Sequence, residues 1–160
     1  MQKTIQIETG ELAVGHNDTK IKTGSVGSCV VIVLYDEEAR VGGMAHAMLP
    51  SRPSNLTVEA TGQEKFSATY VEEAVDGLLN QVKSIGGKRA RLKAKLVGGA
   101  TMFKVLSGDK YGIGFQNIEA ARRRLSELFI PIVAEDTGGS MGKIVEFNLV
   151  NGLVDVSTKL

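Results

Sequence analysis

Cys29 is the one cysteine of the chain; it follows Gly27-Ser28 at the head of an apolar run, and His46 lies seventeen residues further on in a second such run. A thiol with an ordinary pKa of about 8.5 is mostly protonated at neutral pH, so a nucleophilic cysteine needs a base or a cation beside it to hold it ionised. An imidazole can serve as either. The small residues ahead of Cys29 suit the same chemistry, because glycine lets the backbone aim its N–H groups at a substrate oxygen with no side chain in the way. Gly27 and Ser28 are therefore candidates for stabilising an oxyanion or positioning a substrate. A second reading stays open at this level, since a single cysteine among valines is also what a small core residue looks like.

The elements around these residues must bring them together. Ile5 and Ile7 alternate with polar neighbours, as do Leu12 and Val14, which predicts two short strands separated by Gly10. The β-branched run from Cys29 to Tyr35 ends at Asp36-Glu37-Glu38. It suits a strand buried on both faces, although a short buried helix has the same signature. Val41 to Leu49 predicts the next strand, stopped by Pro50; in it His46 shares a face with Met44 and Met48, while Ala45 and Ala47 point the other way. Two adjacent strands can bring Cys29 and His46 together, in a register that the residues alone do not specify. Ser51 to Gly62 is polar, contains Pro53 and reads as a surface loop able to gate the site.

Further along, Phe66, Tyr70, Ala74, Leu78 and Val82 recur every fourth residue and predict a helix from about Glu64 to Ile85, ended by Gly86-Gly87. Leu92, Ala94 and Leu96 alternate as a strand running into Gly98-Gly99. That double glycine lacks the lysine and spacing of a phosphate loop and reads as a tight turn or a partner surface. A second helix, capped by Asn117, runs to Phe129 and buries Ile118, Ala121, Leu125 and Leu128. A strand at Pro131 to Ala134, a Gly138-Gly139 turn and a strand through Val145, Phe147 and Leu149 follow. Asn151-Gly152 then predicts a type I′ hairpin into Leu153 to Val156. The order of elements implies one layered α+β domain over residues 1–160, with a mixed sheet and at least two helices.

A chain of 160 residues, 42% hydrophobic and 23% charged, can build a core without disulfide or metal staples. Its formal charge of +1 creates no global field that would recruit nucleic acid or an anionic membrane. The Arg122-Arg123-Arg124 triplet does not alter this: helical geometry spreads the three about 100° apart, and Glu119 and Glu127 flank them, as on a solvated or protein-contact face. Met1-Gln2-Lys3-Thr4-Ile5 lacks the apolar core of a signal peptide and no stretch is apolar enough to cross a bilayer, so the expected location is cytoplasmic, with no membrane insertion. Two histidines and one cysteine offer no zinc spacing, and neither metal nor cofactor is expected. His16 reads as an exposed loop residue, and turn chemistry alone accounts for Asp136.

Thr23-Gly24-Ser25-Val26-Gly27-Ser28-Cys29-Val30, followed by Gly43-Met44-Ala45-His46-Ala47-Met48-Leu49-Pro50, resembles the signature of the chemoreceptor glutamine deamidase family CheD. Gly98-Gly99-Ala100-Thr101-Met102-Phe103, Ala134-Glu135-Asp136-Thr137-Gly138-Gly139 and Val145-Glu146-Phe147-Asn148 extend the resemblance in the same order. It implies an α/β sandwich related to the catalytic domain of cytotoxic necrotizing factor toxins. By position, the family's nucleophile falls on Cys29, its general base on His46 and its third site residue on Thr23. The implied reaction converts glutamines of chemoreceptor cytoplasmic helices to glutamate with release of ammonia, through a cysteine thioester. Thr23 would orient the imidazole or bind substrate.

The resemblance also implies a partner, the phosphatase CheC, which links the deamidase to the phosphorylated response regulator CheY. Phe103 matches a family position associated with that contact, although it is equally suited to a core. Gln116 departs from the family, standing where arginine is usual. Two other functions are compatible with the same residues: a binding regulator of CheC without catalysis, and a cysteine hydrolase of small amides.

Overall fold

The alternating first third of the chain folds as five strands: β1 (Lys3–Gln6), β2 (Leu12–His16), β3 (Thr19–Val26), β4 (Val30–Asp36) and β5 (Val41–Ala47). Helix α1 (Val71–Ser84), a 3₁₀ turn (Arg89–Arg91), β6 (Lys93–Gly98), helix α2 (Ile113–Glu127), β7 (Ile132–Thr137), β8 (Lys143–Asn148) and β9 (Leu153–Thr158) complete the order. The computed structural model describes residues 2–53, 67–101 and 112–158. Phe66, Phe103 and all but the first three residues of the Ser51 to Gly62 loop lie outside the described residues.

The strands form two sheets, β1-β3-β8-β9 and β2-β5-β4-β6-β7. Each is mixed: β1 runs parallel to β3 and β6 to β7, while the other pairs are antiparallel. One core lies between the sheets, where Ile21, Val26, Val145 and Phe147 meet Val31, Val33, Met44 and Val97. A second core covers the other face of the five-stranded sheet, where Val30, Ile32, Leu34, Ala45 and Ala47 pack against Ala74, Leu78 and Val82 of α1 and Ala121 and Leu125 of α2. The layers are thus sheet, sheet and helices, the α+β arrangement expected from the sequence. Strand β4 feeds alternate residues into the two cores, which is why its run is apolar throughout.

Four local expectations need correction. Strand β3 went unrecognised because two of its buried positions are Thr19 and Thr23, so its period-two pattern, with Lys20 and Lys22 outside, does not read as apolar. Helix α1 starts at Val71 and not near Glu64: Tyr70 is extended, with φ −101 and ψ 129, and bridges to Leu49, while Met48 and Leu49 donate to Thr69 O. That sheet-like pairing withholds the preceding turn from the helix. Helix α2 begins at Ile113, four residues before the expected cap, and takes Asn117 into its interior. The β8–β9 hairpin closes through four residues, Leu149 to Gly152, with positive φ at Gly152 and not at Asn151, which rules out a type I′ turn.

The arginine triplet is an interface within the fold. Arg123 pairs with Glu72 and Arg124 with Asp76, joining α2 to α1, while Arg122 pairs with Glu119 and Glu135. No helix among the described residues is long and apolar enough to cross a membrane.

Candidate active site

His46 projects from β5 toward the inter-sheet layer on the Met44 side, as its spacing predicts, and is 1% exposed. Its backbone is clasped by the turn between β1 and β2: Gly10 N–H donates to His46 O at 2.8 Å, and His46 N–H donates to Glu11 O at 3.0 Å. Across the layer, on β3 of the other sheet, stands Thr23, equally buried. Thr23 Oγ1 and His46 Nδ1 are 2.7 Å apart, a hydrogen bond that joins the two sheets.

Just past Thr23 the β3–β8 register slips, Thr23 pairing with Val145 and Val26 with Lys143, and Ser25 takes a φ of 56. This bulge turns the chain out of the four-stranded sheet and into a bend through Gly27, Ser28 and Cys29, from which β4 enters the five-stranded sheet. Cys29 therefore sits where the chain crosses between layers. It is half-buried and packs against the inter-sheet core. Val31 pairs with His46, so Cys29, two residues earlier and on the same side, occupies the diagonal position. Diagonal neighbours on one sheet face lie about 7–8 Å apart at the backbone, a gap that an aromatic ring can span.

Each carbonyl of the bend is fastened. Gly27 O accepts from Ala100 N–H at 2.9 Å, Ser28 O from Asn117 Nδ2 at 2.9 Å, and Cys29 O from Gly99 N–H at 2.7 Å. Among the described residues, the N–H groups of Ser28 and Cys29 make no backbone hydrogen bond. In a trans peptide the C=O and N–H point in opposite directions, so fastened carbonyls leave those donors aimed away from the clasps. Gly98 and Gly99 make this approach possible. Both have positive φ, 111 and 66, and a Cβ would lie 2.4 Å from Cys29 O at the first and 2.3 Å from Ile118 at the second. Of the two sequence readings of the double glycine, the tight turn is the one the described backbone adopts.

Burial governs the charges here. It pushes the Cys29 thiol up, against a smaller opposing pull from the residue's own N–H, and pushes the His46 imidazole down. The resting pair is consequently thiol and neutral imidazole at neutral pH. Desolvation disfavours both charged partners, so burial by itself does not hold the thiol ionised. A neutral imidazole beside a thiol can still act as a general base.

The structure places Thr23, Cys29 and His46 on one inter-sheet layer, with Gly27 and Ser28 flanking the sulfur. His16 is exposed at the end of β2, Asp136 pairs with Lys143, and Gln116 is exposed beside Asn117. Two neighbours were missed from the sequence. Thr9 Oγ1 lies 3.5 Å from His46 Nε2, with no signal in its spacing. Asn117 did carry a signal, as the polar member of an apolar helix face with Gly114, Ile118, Ala121 and Leu125.

Fold and site together define a layered, two-sheet α+β protein in which a half-buried cysteine borders the same inter-sheet layer as a histidine bonded to a threonine. A family model described as CheD chemotactic sensory transduction matches residues 48–158. That match begins just after His46, whereas whole-chain relatives span the site. The chemoreceptor glutamine deamidase CheD of Halalkalibacterium halodurans is 44% identical over 149 residues, covering 92% of this chain and 89% of that one. The protein of the same name from Thermotoga maritima is 39% identical and covers 95% and 88%, and a probable chemoreceptor glutamine deamidase CheD from Pyrococcus abyssi is 40% identical and covers 96% and 91%. The chain belongs to the CheD family. Among solved structures, that of a Neisseria meningitidis protein of family DUF152 is similar with TM-score 0.51 and 11% identity, covering 86% of this chain and 64% of that one, a likeness of fold alone.

Proposed function

We propose that this chain, read as one domain over residues 1–160, is a protein-glutamine deamidase of chemoreceptors in which Cys29 is the nucleophile and His46 the general base and acid. The observation that carries the reading is the 2.7 Å Thr23–His46 bond on the layer that Cys29 faces. The names of the relatives supply the substrate class. On this reading the substrate is the receptors' cytoplasmic helices and the protein works in the cytoplasm.

Because thiol and imidazole rest neutral, the proton moves as the bond forms. Sγ attacks the glutamine carboxamide carbon while His46 takes the thiol proton, and the oxyanion is met by the N–H groups of Ser28 and Cys29. As the tetrahedral adduct collapses, the imidazolium donates its proton to the departing nitrogen. Ammonia leaves, and an S-acyl thioester remains. Neutral His46 then takes a proton from water as the hydroxide attacks the thioester carbonyl. The sulfur departs, recovers the proton from the imidazolium, and the product is glutamate. Thr23 holds the ring orientation throughout through Nδ1.

The test is incubation with a chemoreceptor cytoplasmic fragment, following ammonia and a mass gain of about one dalton for each amide converted to acid. Cys29→Ala should reduce turnover by about a thousandfold or more; turnover at the parental rate would remove the mechanism. Turnover of small amides without receptor would shift the reading to a small-amide hydrolase. The family resemblance adds a CheC-type phosphatase as partner, with Phe103 as the anchor. Phe103→Ala should weaken that binding while Cys29→Ala leaves it intact, and equal affinity in both would clear Phe103 of the role.

A further inference from the structure

On the site proposed above, we infer that Asn117 is a positioning residue: its carboxamide locks the peptide that carries the Cys29 N–H and ties that peptide to the end of the His46 strand. Asn117 is the fifth residue of α2 and wholly buried. Its Nδ2 donates to Ser28 O at 2.9 Å and to Met48 O at 3.0 Å, which uses both of its N–H bonds. Ser28 directly precedes the sulfur-bearing residue, and Met48 lies two residues past His46. Val30 pairs with Ala47, so Cys29 and Met48 come next in the β4–β5 register, and one side chain straddles both segments.

The peptide plane makes the consequence specific. The carbonyl of Ser28 and the N–H of Cys29 belong to the same planar trans unit and point opposite ways, so a clasp on the first sets the direction of the second. That N–H is the donor offered to the oxyanion, where orientation counts most. The seat of α2 is built for this reach: a Cβ on Gly114 would lie 2.4 Å from Ala100 O and 2.7 Å from Gly99 O. Among the described residues Asn117 Oδ1 has no partner, and an orphaned buried acceptor is destabilising. Leucine, of similar size, would avoid that penalty and lose both clasps.

Two variants test the role. Asn117→Leu removes the donors, and Asn117→Asp keeps the shape while turning acceptors toward two carbonyls; if the first fails to fold, the second is read alone. With a chemoreceptor cytoplasmic fragment as substrate, kcat should fall by about tenfold to a hundredfold while KM stays within about threefold. Alkylation of Cys29 by iodoacetamide, which displaces iodide without forming an oxyanion, should stay within about twofold of the parent. Leu125→Ala, buried on the same helix, serves as the control for plain destabilisation. Unchanged kcat overturns the inference. So does a fall in kcat that tracks melting temperature as in Leu125→Ala, or one matched by slower alkylation. Cys29→Ala run alongside separates the two proposals: turnover surviving there overturns the site itself, whereas turnover lost there but intact in both Asn117 variants overturns only the role of Asn117.

Discussion

The two ends of β4 bury polar groups in opposite ways. At its C-terminal end the Asp36 carboxylate is fully buried and accepts from Ala39 N–H at 3.0 Å, Lys88 N–H at 2.9 Å and Arg91 Nε at 3.0 Å. Burial opposes its charge, but those donors outweigh burial and hold its pKa below the usual carboxylate range. At the other end Cys29 and His46 feel burial foremost, and both are driven toward their neutral forms. One end neutralises a buried charge with neighbours and is finished as structure. The other leaves its protons movable, which is what acid–base chemistry on an amide requires.

The contrast can be broken most forcefully at the end proposed to react. His46→Ala should lower kcat by about 10² to 10⁴ with folding retained, measured as ammonia release from a receptor fragment; a loss under tenfold would deny the ring its role. Asp36→Ala should do the reverse. Because Arg91 is partly exposed, the cost should sit near the low end for breaking a buried pair, about 3 kcal/mol in urea unfolding, with kcat of the folded fraction unchanged. Thr23→Val, which removes the hydroxyl from the inter-sheet bond, should cost about 1–3 kcal/mol of stability and shift the acid limb of the pH–rate profile, since Nδ1 loses its partner. An unmoved limb would make Thr23 purely structural.

The subtlest difference between the ends lies in acid unfolding. His46 has a folded pKa below its unfolded value of about 6.5, so the unfolded chain binds the extra proton, and this contribution to stability, present above about 6.5, is lost as pH falls through the folded value. Asp36 has a folded pKa below its unfolded value of about 3.9, and its contribution is present above that pH and lost further down. Urea titrations across pH should therefore show two windows, with Asp36→Ala erasing only the lower one. Both windows persisting unchanged in that variant would show that the ends are not distinct.

Much of this site is legible in the residues. The β-branched run of β4 and the alternation of β5 place His46 on the correct face, because strand periodicity is local. The Gly98-Gly99 turn is legible for the same reason, a positive φ being a local demand. The rest is set by distant partners. Asn117 reads as a helix cap because that is what asparagine near a helix start ordinarily does, whereas its carbonyl partners lie 89 and 69 positions away. β3 is hidden because Thr19 and Thr23 fill core positions, and the Thr23 hydroxyl finds its partner only once the second sheet faces it. The neutral resting state depends on desolvation, which no spacing encodes.

The chain changes sheets at the bend that carries the sulfur, while threonine and histidine hold hands across the gap from separate sheets. A bond of 2.7 Å has little slack, so a slide of one wall past the other by about an ångström would break it. A reaction centre of the kind proposed would thereby register the alignment of the two sheets. On the proposed mechanism, mild denaturant that shears the walls should lower ammonia release ahead of global unfolding.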